Sequence, residues 1–374
     1  MRILLITTGL LTGGAERQVV DLATAWQAAG HAVHIISLTG TASQFPIPEG
    51  VEVTFLHLRK QPLALLRALS AARAVVRQWQ PDVVHSHMFH ANLFARLLRL
   101  TSPGASTVPL FCTAHSVHEG GWLRMMAYRL TDPACTLTTH VSAEGRARMV
   151  QSDAAPAERV VVVPNGIDTT RFAPDPASRT RLRAALGMPD TTRVLLHAGR
   201  LVPEKAQDTL LEAFAQVHAA HPATHLLVAG DGPLRAVLAQ QITAAGLDDA
   251  VTLLGNRDDI PALMQAADLF VLSSRVEGMP LVVAEALASE LPVVATDVSG
   301  IRLLVRDPER IVPPGEAAAL ATAIQRALDA PRSPDARVAI VESFGIAAIA
   351  ESWLTLYQQC GAYDAQQSDA CSGD

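Results

Sequence analysis

Charge, aromatic rings and cysteine are all scarce in this sequence. Only 18% of its residues are charged and 4% aromatic, and the four cysteines, Cys112, Cys135, Cys360 and Cys371, lie far apart. No two of them form a C-x-x-C pair, and their low density excludes a disulfide framework, which fits a reducing cytoplasm. No run approaches the ~20 apolar residues needed to span a bilayer. The opening, "MRILLITTGLLTGGAER", has one early positive charge and a short apolar run that ends at Thr7 and Thr8, so it reads as a strand and a glycine turn and not as a secretory signal. A soluble or peripheral protein is expected. With a formal net charge of −6, no nucleic-acid partner is expected.

Aliphatic residues are abundant and regularly placed. Hydrophobic residues make up 49% of 374, enough for two domains that each bury a core. Short aliphatic runs recur at 2–7, 32–38, 51–56, 82–87, 108–115 and 159–166, with helical stretches between most of them. After the polar, proline-rich "PNGIDTTRFAPDPASR" the alternation resumes, with runs at 193–199, 224–230, 251–255, 268–274 and 291–297. The pattern predicts an α/β protein of two doubly wound parallel sheets joined near residue 170. Ligands of such sheets bind beyond the carboxyl ends of the strands, so the loops there are the places to look.

Two of those loops carry glycines. Gly13 and Gly14 separate the first strand from its helix, where bare backbone lets N–H groups approach an anion. The loop does not match G-x-G-x-x-G and no acid ends the second strand, which disfavours a dinucleotide. "VAGDGPLR", 228–235, reads alone as an ordinary turn. In "AGRLVPEKAQDTLLEAF", Arg200 follows a strand end and Lys205 stands where the next helix should begin. A cation there opposes the helix macrodipole, and a bound anion would reconcile the arrangement. In "EGMPLVVAEALA", Pro280 opens a helix whose free N–H groups from Leu281 onward would face an anion. Glu285 sits among apolar residues about 7 Å inside that helix and Glu277 stands before it. A buried carboxylate needs a partner. Two carboxylates flanking a diphosphate could each accept hydrogen bonds from a diol, one of a ribose and one of a sugar, which describes a nucleotide sugar.

The set "GGAER", "TAH", "AGRLVPEKAQDTLLEAF", "VAGDGPLR" and "EGMPLVVAEALA" resembles the retaining glycosyltransferases of family four, with their E-x(7)-E motif at Glu277 and Glu285. The resemblance implies the GT-B fold, two Rossmann-like domains facing a cleft: an acceptor-binding domain over 1–168, rejoined by a helix at about 347–362, a donor domain over 169–346, and a polar tail, 363–374. It implies that Arg200 and Lys205 bind the diphosphate without a metal, that Glu285 holds the ribose, and that Glu277 contacts the donor sugar. Gly13 and Gly14 would admit the diphosphate, His115 would lie beside the sugar, Asn256 and Arg257 would pass the base, and Gly278, Met279, Pro280, Leu281 and Val282 would line the donor pocket. No cofactor is implied beyond the nucleotide sugar itself, and no D-x-D metal triplet interrupts the sugar-facing loops. The chain departs from the family at "VSGIRLLVRD", where Ser299 replaces a glycine and Leu303 stands in place of an acid.

Other readings compete. His85, His87, His90, His115 and His118 could assemble a metal site from two neighbouring loops. A nucleotide-sugar 2-epimerase or a non-catalytic binding subunit would share the architecture, but the first should carry another carboxylate set and the second should have lost Lys205 or Glu277. Charge bears on the acceptor. Residues 1–165 hold 14 Lys and Arg against 10 Asp and Glu, and from Arg59 to Arg99 seven cations (Arg59, Lys60, Arg67, Arg73, Arg77, Arg96, Arg99) face one anion, Asp82. Leu63, Leu66, Leu69, Ala72 and Val76 recur at helical spacing among them. Such a basic, apolar stripe suits an anionic membrane surface at the inner face of the cell membrane and a glycan or lipid-linked saccharide acceptor.

Overall fold

The computed structural model describes residues 1–11, 13–59, 61–102, 108–116 and 120–371, with the backbone alone for Pro62 and for 361–371. Lys60 and His118, both named above, lie outside the described residues. The chain forms two units, Met1–Ile167 with Ile346–Asp374, and Asp168–Gly345.

In the first unit seven parallel strands run in the order β3-β2-β1-β4-β5-β6-β7. They are β1 (Arg2–Thr7), β2 (Ala32–Ser37), β3 (Glu52–Phe55), β4 (Val83–His87), β5 (Leu110–Ala114), β6 (Leu137–His140) and β7 (Val160–Val162). Unbroken apolar runs form these strands because the sheet is covered on both faces. Along β1, Ile3 and Leu5 pack with Val19, Trp26, Trp353 and Tyr357, while Leu4 and Ile6 pack with Leu69, Ala72 and Phe94. The strand β6 has no counterpart among the runs read from the sequence. Its Thr138, Thr139 and His140 are fully buried, and their polarity hides the strand. Arg96 donates to Thr138 Oγ1 at 2.8 Å, and the hydroxyls of Thr139 and Thr113 lie 2.7 Å apart, so burial costs them no hydrogen bond.

The second unit has six parallel strands in the order β10-β9-β8-β11-β12-β13. They are β8 (Arg193–Ala198), β9 (Thr224–Ala229), β10 (Val251–Gly255), β11 (Leu269–Leu272), β12 (Val293–Thr296) and β13 (Ile311–Val312). Leu210, Phe214 and Val217 of the helix Gln207–Ala220 and Leu320 and Ile324 of the helix Ala317–Ala327 share a core with Leu195, Leu226 and Val228.

The chain re-enters the first unit through the helix Ile346–Cys371, whose backbone continues through the segment read from sequence as a polar tail. A Cβ on Gly166 would lie 2.9 Å from Ile346 Cα, so only glycine lets the helix cross there. Trp26 Nε1 donates to Ala350 O at 3.0 Å, and Trp353 and Tyr357 enter the core.

Candidate active site

The loop after β8 holds the two cations. A Cβ on Gly230 would lie 2.0 Å from Gly199 O, and one on Gly232 would lie 2.4 Å from Leu201 O. The glycines of "VAGDGPLR" are therefore needed for close backbone packing against the arginine-bearing loop, which the sequence reading took as an ordinary turn. Leu201 N donates to Asp231 O at 2.9 Å and closes this contact. Arg200 is exposed and, among the described residues, makes no ion pair.

Lys205 ends a short 3₁₀ turn, Pro203–Lys205, and Ala206 follows at φ 50 before the helix begins at Gln207. The left-handed residue breaks the helical path, so Lys205 does not oppose the helix dipole as the sequence suggests. Its ammonium lies 2.6 Å from Glu277 Oε1, which also accepts from Ser274 Oγ at 2.6 Å. The anion that Lys205 calls for is thus, in this structure, Glu277. Their side chains are 21% and 11% exposed, enough shielding for the pair to matter energetically.

Side chains not singled out from sequence hold this pair in place. Ser273 Oγ donates to Lys205 O at 2.9 Å, and Arg275 N donates to Glu204 O at 2.8 Å. The Arg275 guanidinium also donates to Pro203 O and the Asp208 carboxylate. Fully buried at the end of β8, His197 has Nδ1 at 3.0 Å from Val271 O and Nε2 at 3.2 Å from the Gln207 amide nitrogen. A carbonyl can only accept, so Nδ1 carries the proton and Nε2 accepts from Gln207. Burial holds this imidazole neutral, with its pKa down to about 4, and the Lys205 charge adds to the effect. Gln207 also donates to Arg200 O at 2.9 Å and so ties the arginine loop to the helix start.

Two sequence expectations change at the neighbouring helix. It runs Leu281–Ala288 with Pro280 as its cap and not in its first turn. The N–H groups of Leu281 and Val283 already donate to Met279 O and Pro280 O, both at 2.9 Å, which leaves fewer free donors for an anion than the sequence implies. Glu285 is half-exposed on the same face as Leu281 and Val282, while Val283, Ala284, Ala286 and Leu287 are buried. Its apolar neighbours form the core side of the helix. Met279 and Pro280 are buried and Gly278 half-buried. Ser299 Oγ donates to Gly278 O at 2.9 Å and so ties the segment before the helix to the loop after β12, and Leu303 is 58% exposed.

Asn256 is exposed just after β10. The Arg257 guanidinium is held by both oxygens of Asp259, at 2.7 and 2.6 Å, and that bond raises its pKa. Arg257 is thus engaged within its own loop.

In the first unit Gly13 caps the helix Gly14–Ala28. A Cβ there would lie 2.2 Å from Glu16 Oε2, so the Glu16 carboxylate folds back to the helix N-terminus expected to receive a diphosphate. His115 follows β5, with its Nε2 3.0 Å from His87 Nδ1. His85 bonds the Tyr357 hydroxyl at 2.6 Å and Thr113 at 2.7 Å. Burial, reinforced by His140, pushes His115 down to about 3, and burial lowers His85 and His87 as well. His90 is exposed on the next helix. Among the described residues no group of three His, Cys, Asp or Glu side chains is disposed to hold a metal.

Residues 12–171 match the family described as Glycosyltransferase Family 4, and residues 178–344 match the one described as Glycosyl transferases group 1. A curated relative, the D-inositol 3-phosphate glycosyltransferase of Arthrobacter sp. (strain FB24), is 31% identical over 329 residues, 79% of this chain and 76% of its own. The chain belongs to glycosyltransferase family four. The GDP-mannose-dependent alpha-(1-6)-phosphatidylinositol monomannoside mannosyltransferase of Mycobacterium tuberculosis (strain ATCC 25618 / H37Rv) is 34% identical over 211 residues, 53% of each chain. The chain spans about half the length of several curated relatives that it matches, 53 to 54%. Anabaena HepE, crystallised with UDP and glucose, superposes with a TM-score of 0.83 over 96% of this chain and 100% of its own, at 24% identity. That likeness bears on the fold, which is GT-B.

Proposed function

We propose that this family-four protein is a retaining, metal-independent glycosyltransferase that moves a sugar from a nucleoside-diphosphate sugar to a glycan or lipid-linked saccharide in envelope polysaccharide or glycoconjugate synthesis. The observation that carries the reading is the Lys205–Glu277 pair in the same loop system as Arg200, beyond the carboxyl ends of the second sheet. Arg200 and Lys205 take the diphosphate and offset the charge that grows on the leaving group, the role a divalent cation plays in other transferases. Glu277 exchanges Lys205 for the hydroxyls of the donor sugar, and Glu285, on the open face of its helix, takes the ribose diol. Asn256 and Arg257 pass the base, with Arg257 fixed by Asp259. Gly13, Gly14 and His115 lie in the first unit. No carboxylate is assigned to the far side of the reacting carbon, so the attacking hydroxyl gives its proton to the departing phosphate on the same face, and the configuration is retained.

Relatives with D-inositol 3-phosphate and phosphatidylinositol mannoside in their names support a polar or lipid-linked acceptor. The site of action is the cytoplasm or the inner face of the membrane. No helix among the described residues is long and apolar enough to cross a bilayer. The test is turnover with UDP and GDP sugars. A transferase releases nucleoside diphosphate only when acceptor is present and yields a product with the donor's anomeric configuration. Interconversion of free nucleotide sugars would replace this reading with an epimerase, and binding without either reaction would replace it with a non-catalytic subunit.

A further inference from the structure

The helix Trp122–Thr131 of the first unit is apolar on both sides. Its inner side is fixed: Tyr128 is fully buried, its hydroxyl accepts from Asn92 at 3.0 Å, its carbonyl accepts from Arg96 at 2.9 Å, and Met125 packs in the same cluster. Its outer side carries Trp122, Leu123, Met126 and Leu130, exposed by 71, 67, 40 and 73%. At about 100° per residue these four fall within roughly 100° of arc, with Tyr128 on the opposite side of the helix. A helix so firmly anchored cannot turn these side chains inward, and water is a poor solvent for a contiguous face of this kind.

The charge on the helix indicates what covers the face. Its ten residues include Arg124 and Arg129 and no acid. Arg129 borders the apolar arc, and its bond to Asp153 is a surface pair, 58 and 75% exposed, weak enough to be exchanged. Arg124 lies over the Phe89 ring at 4.6 Å. The helix follows β5, at the carboxyl end of the sheet, and the exposed Leu11, Leu63 and Leu66 follow β1 and β3 at that same end. A second protein copy would need roughly 800 Å² per partner, more than four side chains on one short helix supply. The helix beginning at Pro62, which the sequence analysis favoured, is a poorer candidate, because its Leu69, Ala72 and Val76 are buried under the sheet.

We propose that the outward face of Trp122–Thr131 docks on an anionic lipid bilayer, with Trp122, Leu123, Met126 and Leu130 in the interfacial layer and Arg129, at the edge of that arc, on the headgroups. The face stands independently of the transferase reading, and its test needs no turnover. Trp26 and Trp353 are buried, and Trp79 is half-covered, which leaves Trp122 as the exposed tryptophan. The full chain should float with vesicles of phosphatidylcholine and phosphatidylglycerol and not with phosphatidylcholine alone, and brominated acyl chains should quench its tryptophan emission. Trp122→Phe should keep flotation and lose the quenching. Trp122→Gln/Leu130→Gln should weaken binding about tenfold or more, while Val338→Gln, an exposed site in the second unit, should leave it unchanged. Circular dichroism and the unfolding midpoint establish that each variant is folded. Flotation without quenching, equal binding of the double variant, no binding to anionic vesicles, or a concentration-dependent dimer lost in the double variant would each overturn the proposal.

Discussion

Replacing Glu277 with glutamine should strengthen nucleoside diphosphate binding while nearly abolishing transfer. The substitution keeps the shape of the side chain and an oxygen for the Ser274 hydroxyl, 2.6 Å away, but removes the charge that faces Lys205. Two unit charges ~4 Å apart attract by about 4 kcal/mol at the effective dielectric of a partly covered site, and desolvation offsets much of that. With the two side chains 21% and 11% exposed, a net coupling of about 1 kcal/mol is reasonable. A diphosphate that needs Lys205 must break this pair, so removing the internal competitor should lower the Kd of UDP or GDP about fivefold. Turnover should fall by about a hundredfold or more, because the carboxylate's contacts to the donor sugar act in the transition state. Lys205→Met should weaken binding and transfer together. Titration calorimetry reads the first quantity and acceptor-dependent release of nucleoside diphosphate the second. General damage to the site cannot move the two in opposite directions. Unchanged or weaker binding in Glu277→Gln, with turnover lost, would refute the exchange of partners, and near-normal turnover would remove Glu277 from the reaction.

Further outcomes follow from backbone packing and from buried imidazoles. Gly230 has φ +129 and no room for a Cβ against Gly199 O, so Gly230→Ala should cost the second unit about 3 kcal/mol or more and weaken nucleotide binding by moving the Arg200 loop. Gly187→Ala, at φ +66 in open space, should cost only about 1 kcal/mol, and equal urea midpoints for the two variants would contradict the packing argument. His115, with a pKa near 3, and His85 and His87, also lowered by burial, stay neutral in the folded first unit while the unfolded chain protonates them below pH ~6.5. Stability from these groups is complete above that pH and is lost as the pH falls towards the folded values, by up to ~4 kcal/mol per pH unit when all three take up protons on unfolding. All four tryptophans lie in the first unit, so their fluorescence reads it alone, and a urea midpoint unchanged between pH 7 and pH 5 would refute the sign.

Most of the two sheets was legible because the central strands are buried on both faces and therefore read as aliphatic runs. Two strands were not read. In β6 Arg96 and Thr113 satisfy buried threonines, whose polarity hides the strand, and β13, Ile311–Val312, is only two residues long. At the site, Arg200, Lys205, Glu277 and Glu285 stand out as residue types out of place in their surroundings, whereas Ser273, Arg275 and His197 act through contacts with residues distant in sequence, and Ser274 bonds Glu277 three residues on. Glu285 stands out in sequence because its neighbours are apolar, and in the fold those neighbours are buried while Glu285 itself is partly exposed.

Lys205 shows how a correct sequence signal can have a different physical cause. A lysine at a helix start is unfavourable only if its charge stays near the N-terminal dipole. Here the 3₁₀ turn and the left-handed Ala206 separate the lysine from the helix, and Ser273 holds its carbonyl. The ammonium then meets Glu277, and the two charges neutralise each other without a ligand. Arg200 makes no ion pair among the described residues, which leaves its guanidinium as a first cation for an anion at this loop. An arriving diphosphate that draws Lys205 away from Glu277 gains a second cation and leaves a carboxylate with unused acceptor capacity. Sugar hydroxyls are donors that can use that capacity, so on the proposed reading a diphosphate bound at Arg200 and Lys205 would prepare the position beside it for the sugar.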